Sequence, residues 1–336
     1  MRFAARFVAG LLGLLQLTVL ADAETLTIAS TAPHKGGHVP LTAELIRPEG
    51  AGPWPAIVFM HGCAGLDDEA RQSLEAHARH FAEEGFVGLV LDSFGPREIA
   101  GVCEDDDAAA AARDFRLRDA FDARARLAKL SFVDGDNIFL VGQSHGASVA
   151  LRAAVSEYVG KIKGARRFNA VAALYPWCGE FVARPVDYVS PVLLFTADQD
   201  TWAPYTLCTD LPVLSGDAEV RLVLYQNARH GFDIERPERT VSGHSLAYNA
   251  VATADSRKRS LALFRRYLVG VSAQLVPSKV IALQARLAAM GFDPGPVDGV
   301  WSESTLTALN ALRVAHGLRP VKRLDEETIS LLGSSQ

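Results

Sequence analysis

Gly142-Gln143-Ser144-His145-Gly146 sets a serine between two glycines, with the strand-like run Asn137 to Val141 before it and a helix-like stretch, Ala147 to Val155, after it. A strand turning sharply into a helix strains the backbone and crowds the flanking positions, so glycine is needed there and the serine hydroxyl is left in the open. Such a hydroxyl becomes a nucleophile only with a base beside it and a carboxylate to orient that base. Both follow, in the chain order serine, acid, histidine. Pro191 to Phe195 runs into Thr196-Ala197-Asp198-Gln199-Asp200, and Val220 to Tyr225 runs toward Asn227-Ala228-Arg229-His230-Gly231-Phe232-Asp233. Ser144 is the candidate nucleophile, His230 the candidate base, and Asp200 or Asp198 the candidate acid. The chemistry these residue types support together is acyl transfer.

The elements that must position them can be read from periodicity. Strand-like runs occur near 25–30, 41–47, 55–61, 87–92, 137–141, 170–175, 191–196 and 220–226. Between them, Leu74, Ala78 and Phe81 share one face of a helix over 68–84, residues 109–130 are rich in Ala, Arg and Asp, and Leu261, Phe264 and Leu268 recur at helical spacing. Strands alternating with helices, the later strands apolar throughout, predict an α/β fold with a mainly parallel sheet covered on both faces. Ligands of such sheets bind beyond the carboxyl ends of the strands, where Ser144, Asp200 and His230 all fall. The developing oxyanion needs backbone donors, and His145 after the nucleophile and Cys63 after the third strand hold those places. Phe94, Arg97, Trp177, Trp202 and Phe232 lie on loops expected to rise from the same edge. Arg97 is the candidate for a forked contact with a substrate carboxylate, and Trp177 and Trp202 are candidates for sorting acyl or alcohol groups.

Around these residues the chain resembles the dienelactone hydrolase family. The resemblance rests on His61-Gly62-Cys63-Ala64-Gly65, Asp92-Ser93-Phe94-Gly95-Pro96-Arg97, Gly142 to Gly146, Asp200-Thr201-Trp202-Ala203-Pro204 and His230-Gly231-Phe232-Asp233, and spans about residues 40 to 270. It implies an α/β-hydrolase fold with a mainly parallel eight-stranded sheet, and it favours Asp200 over Asp198 as the acid. Members of the family proper carry a cysteine nucleophile where this chain has Ser144. The implied activity is therefore serine-dependent cleavage of an ester or lactone, with amide or peptide cleavage and an inactive wall-binding adaptor as the alternatives.

Of the 336 residues 49% are hydrophobic, enough for one large core and a smaller one. Lys and Arg number 34 against 39 Asp and Glu, a net charge of −5 without a basic block, which leaves a nucleic-acid partner no electrostatic footing. Arg2 and Arg6, the apolar run Phe7 to Leu20 and Ala21-Asp22-Ala23 fit a secretory signal over residues 1–23, so the protein is expected to be exported to the periplasm or cell exterior. Four cysteines in an exported chain allow three pairings. Cys63 and Cys103 follow the third and fourth strands, neighbours in a doubly wound hydrolase sheet, while Cys178 and Cys208 follow two later consecutive strands, so the expected bridges are Cys63–Cys103 and Cys178–Cys208. No C-x-x-C or H-E-x-x-H spacing occurs, so no metal is expected, and acyl transfer of this kind requires no cofactor.

The hydrolase pattern, assigned to 24–270, gives way to a linker at 271–277 and a second unit at 278–334. There Val280, Leu283, Leu287 and Met290 mark a helix closed by Gly291, a turn-rich loop follows, and helices are expected from Glu303 to about His316 and from Glu326 to Leu332. This small three-helix domain is similar to the peptidoglycan-binding domain family at Leu283-Gln284, Gly291-Phe292, Val297-Asp298-Gly299-Val300-Trp301 and Ala315-His316-Gly317-Leu318. Leu312 and Arg313 stand where that family usually has Phe and Gln. The resemblance implies peptidoglycan as a partner beside a small ester substrate.

Overall fold

A computed structural model of the protein describes residues 23–50, 52–183, 185–209, 211, 218–269, 277–321 and 324–333. The expected leader, except Ala23, and the expected linker at 271–277, except Pro277, which begins a helix, lie outside the described residues. Two long strands, β1 (Glu24–His34) and β2 (Gly37–Ile46), pair antiparallel and alternate between buried and exposed, as a sheet with one wet face must. The remaining strands of the main sheet are β3 (Trp54–Met60), β4 (Val87–Asp92), β5 (Val133–Gln143), β6 (Val171–Leu174), β7 (Val192–Ala197) and β8 (Val220–Tyr225). The eight strands lie in the order β1-β2-β4-β3-β5-β6-β7-β8, parallel from β4 onward.

Both faces are covered, and the strand period decides which side chain goes where. From β3, Ala56, Val58 and Met60 pack with Leu117 and Ala120 of α2 (Asp106–Leu127) and with Val149 and Ala150 of α3 (His145–Ala153). The alternate residues Ile57 and Phe59 pack with Leu74 and Phe81 of α1 (Asp68–Glu83) on the opposite face. A single turn, α4 (Ser156–Val159), follows α3, and Phe264 of α5 (Ala250–Arg266) completes the second core.

α2 begins a turn before the expected 109–130 and ends at Leu127. Asp105 accepts from the Ala108 N–H and starts the helix early, while Lys129 N–H and Leu130 N–H close tighter turns onto Arg126 and Leu127 and end it. A further difference is a small antiparallel hairpin, β9 (Arg239–Val241) and β10 (His244–Leu246), within the stretch after His230. Three-residue strands carry too little alternation to announce themselves, and only the Ser242-Gly243 turn, both residues at positive φ, marks the place.

The carboxyl-terminal helices are α6 (Pro277–Ala289), α7 (Glu303–Ala315) and α8 (Glu326–Gly333). Gln284 is fully buried, its carbonyl accepting from Asp298 N–H and Gly299 N–H and its amide donating to the Val300 carbonyl. Arg313 is also buried, donating to Asp325, Thr328 and the Arg319 carbonyl, so the position that departs from the family pattern joins α7 to α8. Among the described residues no helix is long and apolar enough to cross a membrane.

Candidate active site

Ser144 ends the β5 turn at φ 51° and ψ −116°, outside the regions an L-residue prefers. Its glycine neighbours explain how so tight a turn closes. A Cβ on Gly142 would sit 2.2 Å from the Gly146 carbonyl oxygen, and one on Gly146 would sit 2.5 Å from the carbonyl oxygens of Met60 and His61. The Ser144 N–H is held by the Leu174 carbonyl at 2.9 Å, and its own carbonyl accepts from Ser148 N–H at 3.0 Å. The hydroxyl therefore stands above the carboxyl ends of β5 and β6 at the start of α3.

His230 Nε2 lies 2.8 Å from Ser144 Oγ, and His230 Nδ1 lies 2.8 Å from Asp200 Oδ2. The other carboxylate oxygen of Asp200 accepts from Trp202 N–H at 2.9 Å and Ala203 N–H at 2.8 Å, which fixes its plane. With a carboxylate on Nδ1, the neutral ring carries its proton there and leaves Nε2 free to accept from the serine. Tyr175 meets the imidazole edge-on at 4.7 Å and Trp202 flanks it at 5.3 Å. Asp198, the alternative acid, is anchored by its backbone to Tyr225, while Asp200 takes the ring nitrogen.

Cys63 lies in the loop after β3 and lines the cavity with Ser144, and His145 opens α3 directly after the serine. Cys63 is bridged to Cys103 and both line the cavity in front of Ser144, while Cys178 is bridged to Cys208, so both expected pairings form. The imidazole of His145 turns away from the cavity, with Nε2 2.8 Å from the Ala109 carbonyl oxygen. Burial, reinforced by the Arg116 charge, pulls its pKa down to about 3, so the ring is neutral near pH 7.

A second polar cluster adjoins His230 through Tyr175, whose ring meets the imidazole. Asp233 is buried, with His77 Nε2 at 2.8 Å, Gln143 Nε2 at 2.7 Å and the Tyr175 hydroxyl in a short hydrogen bond. Burial raises the Asp233 carboxyl, but the bonds from His77, Tyr175 and Gln143 outweigh it and hold the group below its usual range. Burial and the Asp233 charge push the Tyr175 phenol well up, so it donates rather than ionises. Of this cluster Gln143 and Asp233 stood in recognisable motifs; His77 sat on a helix face that reads as core, and nothing in its spacing marked it.

Arg97 departs from its expected role. Its guanidinium is buried and forked onto both oxygens of Asp119 at 2.8 Å, with further bonds to the Ser93 carbonyl and Ser30 Oγ, and its remaining donor, Nε, is buried without a partner, so the side chain lies outside the cavity and does not reach a substrate carboxylate there. Asp119 was invisible as its partner because it looks like one more charge on a polar helix. Trp177 also falls outside the cavity: it is 41% exposed, with Arg113 stacked over its ring at 5.5 Å. Trp202 does line the cavity, stacked at 5.1 Å on His244 of β10.

The cavity itself measures about 90 Å³ and lies between Ser144, Cys63, Tyr175, Trp202 and the β9–β10 hairpin, which contributes Val241 and Leu246. Its cations, Arg236 and Arg239, both pair with Glu69. The hairpin tip is fastened to the disulfide loop by Ser242 Oγ donating to Glu104 at 3.0 Å, and its second strand bridges back to His230 through Leu246.

Comparison with known proteins agrees with this architecture. The dienelactone hydrolase family model matches residues 41–268, and a peptidoglycan binding domain model matches residues 277–332. Among solved structures, an assigned dienelactone hydrolase from Klebsiella pneumoniae subsp. pneumoniae MGH 78578 is 19% identical, with 73% of this chain and 100% of that chain covered at a TM-score of 0.52. A dienelactone hydrolase-like promiscuous phosphotriesterase from metagenomic libraries is 20% identical, with 73% and 98% covered at 0.52. These likenesses show the fold. No curated protein matches the chain.

Proposed function

The chain belongs to the dienelactone hydrolase family, and from that premise we propose that it is an exported serine hydrolase that cleaves a small carboxylic ester or lactone through Ser144, His230 and Asp200 while its carboxyl-terminal module holds it at the cell wall. The observation that carries the reading is His230, within 2.8 Å of both the Ser144 hydroxyl and the Asp200 carboxylate. In the proposed cycle His230 Nε2 takes the Ser144 proton as Oγ attacks the ester carbonyl, and Asp200 stabilises the resulting imidazolium. The tetrahedral oxyanion is received by the N–H groups of Cys63 and His145. His230 then gives its proton to the departing alcohol, leaving an acyl-Ser144. A water deprotonated by the same nitrogen attacks the acyl-enzyme and releases the acid.

The size of the cavity argues for a small substrate. Its volume of about 90 Å³ is well below the roughly 300–1,000 Å³ of pockets that enclose drug-sized ligands. Two disulfides fit an exported protein, because such bridges persist in oxidising compartments. The test is a library of short-chain esters and lactones offered to the protein and to Ser144→Ala, beside fluorophosphonate labelling. The reading expects label on Ser144 alone and a fall in kcat of about 10⁴ or more in the variant. Ester turnover that survives in Ser144→Ala would remove it.

A further inference from the structure

Arg116, on α2, is a fully buried charge that the cycle above does not use. Its Nη1 donates to His145 Nδ1 at 2.6 Å and its Nη2 to the His61 carbonyl at 2.5 Å, while Nη1 also lies 3.5 Å from the Gly62 carbonyl oxygen. The ring of Phe94 covers one face at 4.8 Å. Asp119, one turn further along α2, gives both its oxygens to Arg97, and among the described residues no carboxylate lies within ion-pair distance of Arg116. Burial pulls the guanidinium down to about 9, with Asp119 and Asp92 opposing from a distance, so it remains a cation at neutral pH. A buried cation without a paired carboxylate is costly to a fold, so its surroundings ask for another account.

Those surroundings lead to the two residues that carry the proposed oxyanion donors: the carbonyls of His61 and Gly62 just before Cys63, and the side chain of His145. The Gly62 carbonyl and the Cys63 N–H belong to one peptide unit. His61 is held neutral by burial and by the nearby Arg116 charge. Ser93 N–H donates to its Nε2 at 3.3 Å, so its proton sits on Nδ1 and is given to the Gly62 carbonyl at 2.8 Å. On the other side, the Ala109 carbonyl can only accept, which puts the His145 proton on Nε2 and leaves Nδ1 bare for Arg116. One planar fork thus grips the loop before Cys63 and the ring of the residue after the nucleophile. A buried positive charge this close to both residues favours negative charge developing at their N–H groups.

We propose that Arg116 is the positioning residue of the oxyanion hole, setting the separation of the Cys63 and His145 N–H groups and supplying a fixed positive field close to them. The inference rests on the Ser144 reading above, and its test keeps the two apart. Arg116→Met and Arg116→Lys are made in the full chain, checked for folding by near-ultraviolet circular dichroism, and compared with wild type and Ser144→Ala on a short-chain nitrophenyl ester. Affinity for a trifluoromethyl ketone, which adds to the serine to form a stable oxyanion, is measured alongside. The expected result for Arg116→Met is a fall in kcat of about 10- to 100-fold with KM within about twofold, and a matching loss of ketone affinity. Arg116→Lys, which keeps the charge but not the fork, should fall between the two. Should Arg116→Met not fold, the same parallel loss is required of Arg116→Lys. Folded variants with kcat within about threefold of wild type, a loss carried by KM alone, or ketone affinity that does not follow kcat would overturn the proposal. Failure of both variants to fold would also overturn it, by assigning Arg116 to the fold alone. Activity remaining in Ser144→Ala would instead strike at the underlying reading and take the inference with it.

Discussion

Asp198 and Asp200 both follow β7, and the turn between them decides which one meets the imidazole. Asp200 has one oxygen on His230 and the other on two backbone N–H groups, so its replacement by Asn should misplace the ring proton and lower kcat by about 10³- to 10⁴-fold. Asp198→Asn should stay within about threefold, and steady-state kinetics of the pair on one ester would reverse the assignment if the losses were exchanged. His145 carries a prediction about acid. Its folded pKa of about 3 lies far below the ordinary value of about 6.5, so below that value the unfolded chain binds a proton the folded one refuses. The stability is whole above pH 6.5 and drains as pH falls toward 3. Between pH 6.5 and 4.5 this one ring should remove of order 2–3 kcal/mol, and His145→Asn should flatten that limb in urea unfolding followed at the two pH values. An acid limb as steep in the variant as in wild type would show that the ring does not titrate this way.

Elements carry their own consequences, because the loops that form the cavity are tied to one another rather than to the sheet alone. Cys63–Cys103 closes 40 residues and Cys178–Cys208 closes 30. By loop-closure entropy each bridge stabilises the fold by about 3–4 kcal/mol. Of the two, the first touches the site, with both of its cysteines lining the cavity. Replacing Cys178 and Cys208 with Ala should therefore lower Tm while kcat stays within about twofold, whereas replacing Cys63 and Cys103 should lower Tm by a similar amount and kcat by about tenfold or more. Equal effects on kcat would show that the bridge does not steady the Cys63 peptide. The β9–β10 hairpin is the other such element. Val241→Ala with Leu246→Ala should widen the cavity and shift the preferred nitrophenyl ester from acetate or propionate toward longer chains, read as kcat/KM against acyl length. How much could be read beforehand follows the same division. The sheet was legible because fully buried strands are apolar throughout, as Trp54–Met60 and Val192–Ala197 are, and strand adjacency was enough to pair the cysteines. Of the residues singled out around the site, Ser144, His230, Cys63 and Trp202 meet at one cavity, and Asp200 joins them through the His230 ring. Arg97 and Trp177 do not, Arg116 and His77 gave no sign, and the hairpin gave only its Ser242-Gly243 turn. What was hidden is long-range polar pairing. Arg97 with Asp119, and Asp233 with His77, are joined by burial across the fold, and a buried charge pair looks in sequence like solvated surface.

At the scale of the whole molecule, the question is what a module matching the peptidoglycan binding domain model would add to a hydrolase if it binds the wall. A module that binds an insoluble polymer contributes nothing to the chemical step at Ser144; it raises the local concentration of whatever lies near the anchor. That separates two kinds of substrate. For a soluble ester, a chain ending at residue 277 should match the full protein in both kcat and KM, and only its co-sedimentation with isolated sacculi should be lost. For an ester borne on the wall, losing the anchor should leave kcat intact and raise the apparent KM by about tenfold or more, because each encounter must again be made from solution. Running the two chains side by side on a soluble nitrophenyl ester and on sacculi carrying O-acyl groups therefore reads anchor and substrate at once. A KM that rises only on sacculi would place the substrate on the wall. An unchanged KM on both, with sacculus binding lost, would leave the anchor as a means of retention beside a soluble substrate, and sacculus binding that survives the truncation would end the tether altogether.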